Sequence, residues 1–249
     1  MILRPFLYEP TSCASYLFGC TTQGQLAVVD PHSELVEAYL ETARDLGHPI
    51  VAAFETHVQA DHVSGLPELV AAGATAYLPA GAGVSFPHVA LAGGERIELG
   101  NTLVTALATP GHAPAHAAYA VADRRRGDEE PWLVFTGDSL LVNDVGRPDL
   151  HATGDPEPLA RELHASLRRL LALPDDVLVL PSHYGGSVCG RALSGNPFST
   201  IGFERRHNRA LALDEDAFAE AALRDLPPPP AEQEAIVAAN RAGRPRAAA

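Results

Sequence analysis

The chain alternates between short, densely apolar runs and longer stretches in which apolar residues return every three or four positions. Residues 15–19 (Ser-Tyr-Leu-Phe-Gly) and 26–30 (Leu-Ala-Val-Val-Asp) have the length and side-chain character of strands. Thr21-Thr22-Gln23-Gly24-Gln25 separates them, and Gly24 supplies the positive φ of a hairpin turn. Leu35, Val36, Tyr39, Leu40, Ala43 and Leu46 then fall at helical spacing. They predict a helix over 34–46, capped by Ser33 and stopped by Gly47. Residues 50–54 (Ile-Val-Ala-Ala-Phe) predict a buried strand, and a helix follows over 64–72, ending at Gly73.

The second half repeats the scheme. Strands are predicted at 74–78, 103–107, 117–121 and 132–136, with a further pair at 89–91 and 96–99 flanking Gly93-Gly94 as a second hairpin. Leu159, Leu163, Leu167, Leu170 and Leu171 line one face of a helix over 158–173, and a buried strand follows at 177–180. Helices at 214–226, capped by Asp214, and at 231–241 flank the stiff Pro227-Pro228-Pro229-Pro230 connector. Residues 242–249 form a frayed tail. Two strand-rich segments, each followed by helix, imply two sheets packed face to face with helices outside both.

Composition narrows the function. With 46% apolar and 20% charged residues the chain is an ordinary globular one. A net charge of -13 opposes binding to a nucleic-acid backbone or an anionic membrane surface. Arg124-Arg125-Arg126 sits among acids and reads as a solvated loop. Cys13, Cys20 and Cys189 are too few and too scattered for a disulfide framework or a structural zinc cluster. No secretory leader and no apolar window of about 20 residues is seen. A soluble, cytoplasmic protein is expected.

The candidate chemistry lies at strand ends. Thr56-His57-Val58-Gln59-Ala60-Asp61-His62 follows the strand at 50–54 and crowds two imidazoles and a carboxylate into one turn. Taken alone, the turn is equally a polar loop whose Asp caps the next helix and a transition-metal site. Three more turns have the same character. His112 follows Thr109-Pro110-Gly111, Asp138 follows Thr136-Gly137, and His183 follows Pro181-Ser182. Converging strand ends let residues distant in sequence share one cavity.

These four turns, in this order, resemble the metallo-β-lactamase superfamily, whose pattern is T-H-x-H-x-D-H, Pro-Gly-His, Gly-Asp and a final His. The resemblance implies an α/β fold, the four-layer αβ/βα sandwich, with a metal site at one edge of the two sheets. It further implies a catalytic domain over 1–213 and a C-terminal helical extension over 214–249 packed on it. Within the superfamily the chain is most similar to the persulfide dioxygenases of the ethylmalonic encephalopathy protein type, which carry a G-R-x-D stretch like Gly146-Arg147-Pro148-Asp149. Residues 198–208 and the proline-rich tail resemble bacterial relatives in which this domain precedes a rhodanese, and none follows here.

One departure is informative. The second histidine of the T-H-x-H pattern is Gln59 here, and an amide is a poor substitute for imidazole at a transition metal. The resemblance to the dioxygenases implies one Fe(2+) per chain, held by His57, His112 and Asp138, with Asp61, His62 and His183 as catalytic groups around it. The substrates would be a small-molecule thiol persulfide, such as glutathione persulfide, and O2. The alternative is a glyoxalase II-like, Zn(2+)-dependent thioesterase, because Asp61, His62, Asp138 and His183 would match the second metal site of the zinc hydrolases. Arg147, Tyr184 and Arg191 are candidates for binding the thiol's carboxylates, since Arg pairs with them bidentately. Arg147 could equally pair with Asp149 or Asp144. Cys189 reads as an inert thiol, His116 as a loop or supporting histidine, and His151 as a residue that lines the pocket at most. Apolar Ile236 and Val237 on the last helix leave a homodimer contact open.

Overall fold

A computed structural model describes residues 1–127, 129–185, 195–226 and 228–244. The first sheet has the order β1-β2-β3-β4-β5-β6. Its strands are β1 (Ile2–Tyr8), β2 (Cys13–Cys20), β3 (Gln25–Val29), β4 (Ile50–Phe54), β5 (Thr75–Pro79) and β6 (Val89–Leu91). The first three pair antiparallel, and β3 to β6 run parallel. The second sheet has the order β14-β13-β10-β9-β8-β7. It comprises β7 (Arg96–Leu99), β8 (Thr102–Ala108), β9 (Ala117–Asp123), β10 (Leu133–Gly137), β13 (Leu178–Pro181) and β14 (Ser199–Thr200). Between β10 and β13 lies a small hairpin of β11 (Leu140–Leu141) and β12 (Asp144–Val145).

Why the strands read as unbroken apolar runs is visible in the packing. Successive side chains of a strand point to opposite faces, and here both faces are covered. Phe18, Val29 and Phe54 of the first sheet meet Tyr119, Val121, Leu133 and Phe135 of the second between the sheets. Their neighbours Leu17, Val28 and Ala53 point outward, under Tyr39 of helix α1 (Val36–Leu46) and Leu66 and Leu69 of α2 (Leu66–Ala71). On the far side, Ala118, Ala120, Val134 and Val179 are covered by Leu163, Leu167 and Leu170 of α3 (Glu157–Leu170) and by Phe218 of α5 (Glu215–Leu223). Each Val, Leu or Phe among them, fully buried, contributes roughly 1.5–3 kcal/mol of transfer free energy. The layers are therefore αβ/βα. The remaining helices are α4 (Ile201–His207) and α6 (Gln233–Ala242).

Three local expectations change. Gly93-Gly94 does not close a hairpin. β6 pairs with β5 in the first sheet and β7 with β8 in the second, so the two glycines, both at positive φ, carry the chain from one sheet to the other. Ser33 is not the cap of the first helix. His32 accepts the Glu34 N–H on Nδ1, a short 3-10 turn spans Ser33–Leu35, and α1 starts at Val36. Ile236 and Val237 are half-buried, and Val237 packs against the outer core of the first sheet, so they form no exposed apolar patch. Gly24, Gly47 and the Asp214 cap behave as their sequence context predicts.

Candidate metal centre

The site forms where the two sheets meet at the C-terminal ends of β3, β4, β8, β10 and β13. Isolated bridges between His57 and His116 and between Cys13 and His183 stitch the sheets together there. The Ala117 N–H donates to the Thr56 carbonyl, and the Tyr119 hydroxyl to the Glu55 carbonyl at 2.6 Å.

His57, His112 and Asp138 come together, all three buried. The His57 and His112 rings stand edge to face with centroids 4.9 Å apart, and His112 Nε2 lies 3.5 Å from Asp138 Oδ2. The orientation of His57 is built from behind. Asp30, at φ 48° just past β3, accepts the Thr56 N–H at 2.7 Å and the Thr56 hydroxyl at 3.0 Å. With its proton committed there, Thr56 Oγ1 accepts from His57 Nδ1 at 3.0 Å, which leaves the Nε2 lone pair for a metal. Asp138 is held likewise. Its N–H donates to His116 Nε2 at 3.3 Å, and His116 Nδ1–H is taken by the Thr109 and Ser139 hydroxyls. Gly137 makes this approach possible, because a Cβ there would strike Thr56 Oγ1 and His116 Nε2.

Asp61, His62 and His183 form a second group beside the first. His183 sets Nδ1 2.7 Å from Asp138 Oδ1 and Nε2 2.7 Å from Asp61 Oδ2. Asp61 Oδ1 faces His62 Nδ1 at 3.1 Å, and the His62 ring stacks on His32. Cys13 Sγ is 3.4 Å from His183 Nε2 and 3.7 Å from His62 Nδ1. Burial alone would raise its thiol, but the two imidazoles outweigh that and bring it to about 7.

Gln59 is absent from the imidazole cluster. Its Nε2 donates to Asp30 Oδ1 at 3.2 Å and to Glu55 Oε2 at 3.5 Å. Burial, reinforced by Asp30, pushes the Glu55 carboxyl up to about 8. Of the substrate candidates, Arg147 is buried and its guanidinium grips Asp149 at 2.8 and 2.7 Å, the pairing that the sequence offered beside substrate binding. Tyr184 is buried in the core between the sheets, with its phenol pushed up to about 12 by burial and by Glu9. Arg191 and Cys189 lie outside the described residues.

The sequence left two supporting residues unassigned, Asp30 and Asn240, and read His116 only as a loop or supporting histidine and His151 only as a residue lining the pocket. Asn240 on α6 accepts the Ser64 N–H at 2.9 Å and donates to the carbonyls of Gln59 and His62 at 3.0 and 2.9 Å. Only for His116 and His151 was there a signal, a histidine close after a glycine turn.

The donor set suits a transition metal. Asp138 Oδ2 is buried without a hydrogen-bond partner, and burial holds His57 well below the usual imidazole range and lowers His112 as well. Neutral nitrogens beside an unpaired carboxylate oxygen are what a divalent cation requires. Together with the layering, they define a metalloenzyme built on an αβ/βα sandwich.

The chain belongs to the metallo-β-lactamase superfamily, whose family model matches residues 8–183. It is 28% identical over 243 residues to the mitochondrial persulfide dioxygenase ETHE1 of Bos taurus, covering 96% of this chain and 87% of that protein. A hydroxyacylglutathione hydrolase of Rhodospirillum rubrum is 32% identical over 216 residues, 85% of this chain and 76% of its own. The crystal structure of ETHE1 from Myxococcus xanthus superposes with a TM-score of 0.84 at 31% identity, covering 97% of this chain and 99% of that one. Among the described residues no helix is long and apolar enough to cross a membrane.

Proposed function

We propose that this protein is a mononuclear non-haem iron persulfide dioxygenase. It would take a low-molecular-weight thiol persulfide, O2 and water to the thiol and sulfite, so that all four oxidising equivalents of O2 are spent on the terminal sulfur and water supplies the third oxygen of sulfite. The observation that carries this reading is the engagement of Gln59 by Asp30 and Glu55. Of the strand-end turns, this would leave His57, His112 and Asp138 for the first site, the two-histidine, one-carboxylate core of non-haem Fe(II) oxygenases, without the second histidine that a dinuclear hydrolase draws from the same turn. Similarity to ETHE1 proteins along almost the whole chain supports the same reading.

Iron at His57, His112 and Asp138 would supply the redox chemistry. The chain's own contribution is orientation. Thr56 and Asp30 hold His57 in one tautomer, and His116 holds the backbone of Asp138. His183, between Asp138 and Asp61, is placed to pass a proton between the site and the Asp61–His62 pair as water is consumed and thiol released.

A second reading has its own support. Cys13, Asp61 and His183 bring ligand atoms within 4.8 Å of one another, and the hydrolase relative is slightly more identical over its match. A thioesterase would use that group for a second metal. The deciding experiment is oxygen uptake with glutathione persulfide on anaerobically purified, iron-loaded protein, together with a metal count. Oxygen consumption with one iron per chain supports the dioxygenase. Hydrolysis of lactoyl-glutathione with two metals and no oxygen uptake overturns it.

A further inference from the structure

We propose that His151 is a fourth protein ligand to the metal held by His57, His112 and Asp138. The inference rests on the metal reading given above and extends it to a residue outside the four strand-end turns. His151 lies in the loop between β12 and α3. Its ring lies 5.5 Å from that of His112 and 5.9 Å from that of His57, close to perpendicular to each. One ring nitrogen from each of the three histidines falls within 4.8 Å of the others, a span that ligand atoms around a single cation occupy. His151 Nε2 is buried and without a hydrogen-bond partner. A buried imidazole nitrogen in that state is costly unless something binds it.

The loop delivers His151 by construction. Gly146 starts it, pressed so closely on Asp138 that a Cβ would overlap the Asp138 carbonyl oxygen. Two residues of the next turn, Arg147 and Asp149, are clamped together by their bidentate pair. The buried Leu150 offers its carbonyl to the Gln233 amide of α6. Backbone on the N-terminal side of His151 is thereby anchored at three points, and a ring presented by anchored backbone loses little entropy on binding.

The assignment also accounts for Gln59. A site that has lost the second histidine of the T-H-x-H pattern, whose replacement is turned to Asp30 and Glu55, regains a third imidazole from a different segment.

The test uses full-length, metal-free protein titrated with Co(II) alone, whose visible absorption reports coordination without turnover. His151→Ala is expected to bind Co(II) at least 10-fold more weakly and with an altered visible spectrum, and added imidazole is expected to restore both. His151→Gln guards against loss of fold, and should match the wild-type circular dichroism while giving the same altered spectrum. Unchanged affinity and spectrum in His151→Ala would overturn the inference. His57→Ala and Asp138→Asn separate the two levels. If they abolish Co(II) binding while His151→Ala leaves it intact, only this inference fails. If they leave it intact, the metal reading fails as well.

Discussion

The side-chain amide of Asn240 donates to the backbone carbonyl of Gln59 at 3.0 Å, joining residues 181 positions apart. The same side chain takes the His62 carbonyl and the Ser64 N–H, so one residue of the last helix braces both ends of the histidine-rich turn. Asn240→Ala leaves three buried backbone groups unpaired, each costing about 1–3 kcal/mol. Partial relaxation reduces the sum, and a drop of roughly 5–10 °C in Tm is expected. Metal affinity should fall about 10-fold, because the turn that carries His57 loses its brace. Thermal denaturation and competition with a chelator measure the two effects.

Gly146 leaves no room for a side chain. A Cβ would overlap the Asp138 carbonyl oxygen and lie 3.0 Å from the Cβ of His112. Gly146→Ala is expected to displace both residues and cost about 1–3 kcal/mol or more. The measurement is metal stoichiometry of the soluble protein, which should fall well below that of wild type. Gly127→Ala, with nothing within 4 Å of its Cβ, is the control.

From these two groups stability should be greatest between about pH 4.5 and 6.5 and decline on either side. Burial holds His116 at about 3 in the folded protein, against 6.5 for a free imidazole. Between those values the unfolded chain binds one more proton. The contribution is therefore complete above pH 6.5 and lost as pH falls towards 3, by about 1.4 kcal/mol per unit for one group. Glu55 works in the opposite direction. Its folded value of about 8 lies above the ordinary 4.5, so its contribution is complete below pH 4.5 and lost as pH rises through 8. Denaturant titrations from pH 4 to 9 test both. Glu55→Gln should flatten the alkaline limb, and His116→Asn the acid one.

Metal removal should destabilise the fold. Asp138 Oδ2 is buried with no hydrogen-bond partner of its own, and a cation bound there favours the folded state by mass action. At a hundredfold excess over Kd this amounts to about 2.7 kcal/mol. A chelator is expected to lower Tm by roughly 5–10 °C, and iron or cobalt to restore it. In Asp138→Asn the chelator-dependent difference should vanish.

Much of the fold is legible because it repeats locally. Strands such as 50–54 and 132–136 are apolar on successive residues, since both of their faces are covered. The helix near 158–173 shows its stripe because only one face is. The Gly93-Gly94 connection is misread for the same local reason. Two strands around a glycine pair look like a hairpin, and only the sheets to which they belong show that they are not partners.

The sequence by itself determined the donor inventory at the strand ends: His57, His112, Asp138, Asp61, His62 and His183 each stand beside a turn that the chain's own pattern marks. It also marked Gln59 as the departure. Tertiary structure alone decided what surrounds them. Asp30 reaches Thr56 across 26 positions, and Asn240 reaches Ser64 across 176. It took Arg147 for Asp149 and brought His151 to within ligand distance of His57 and His112. No local periodicity encodes such contacts, because they arise only when two sheets pack face to face and the loops at one edge are forced into one small volume.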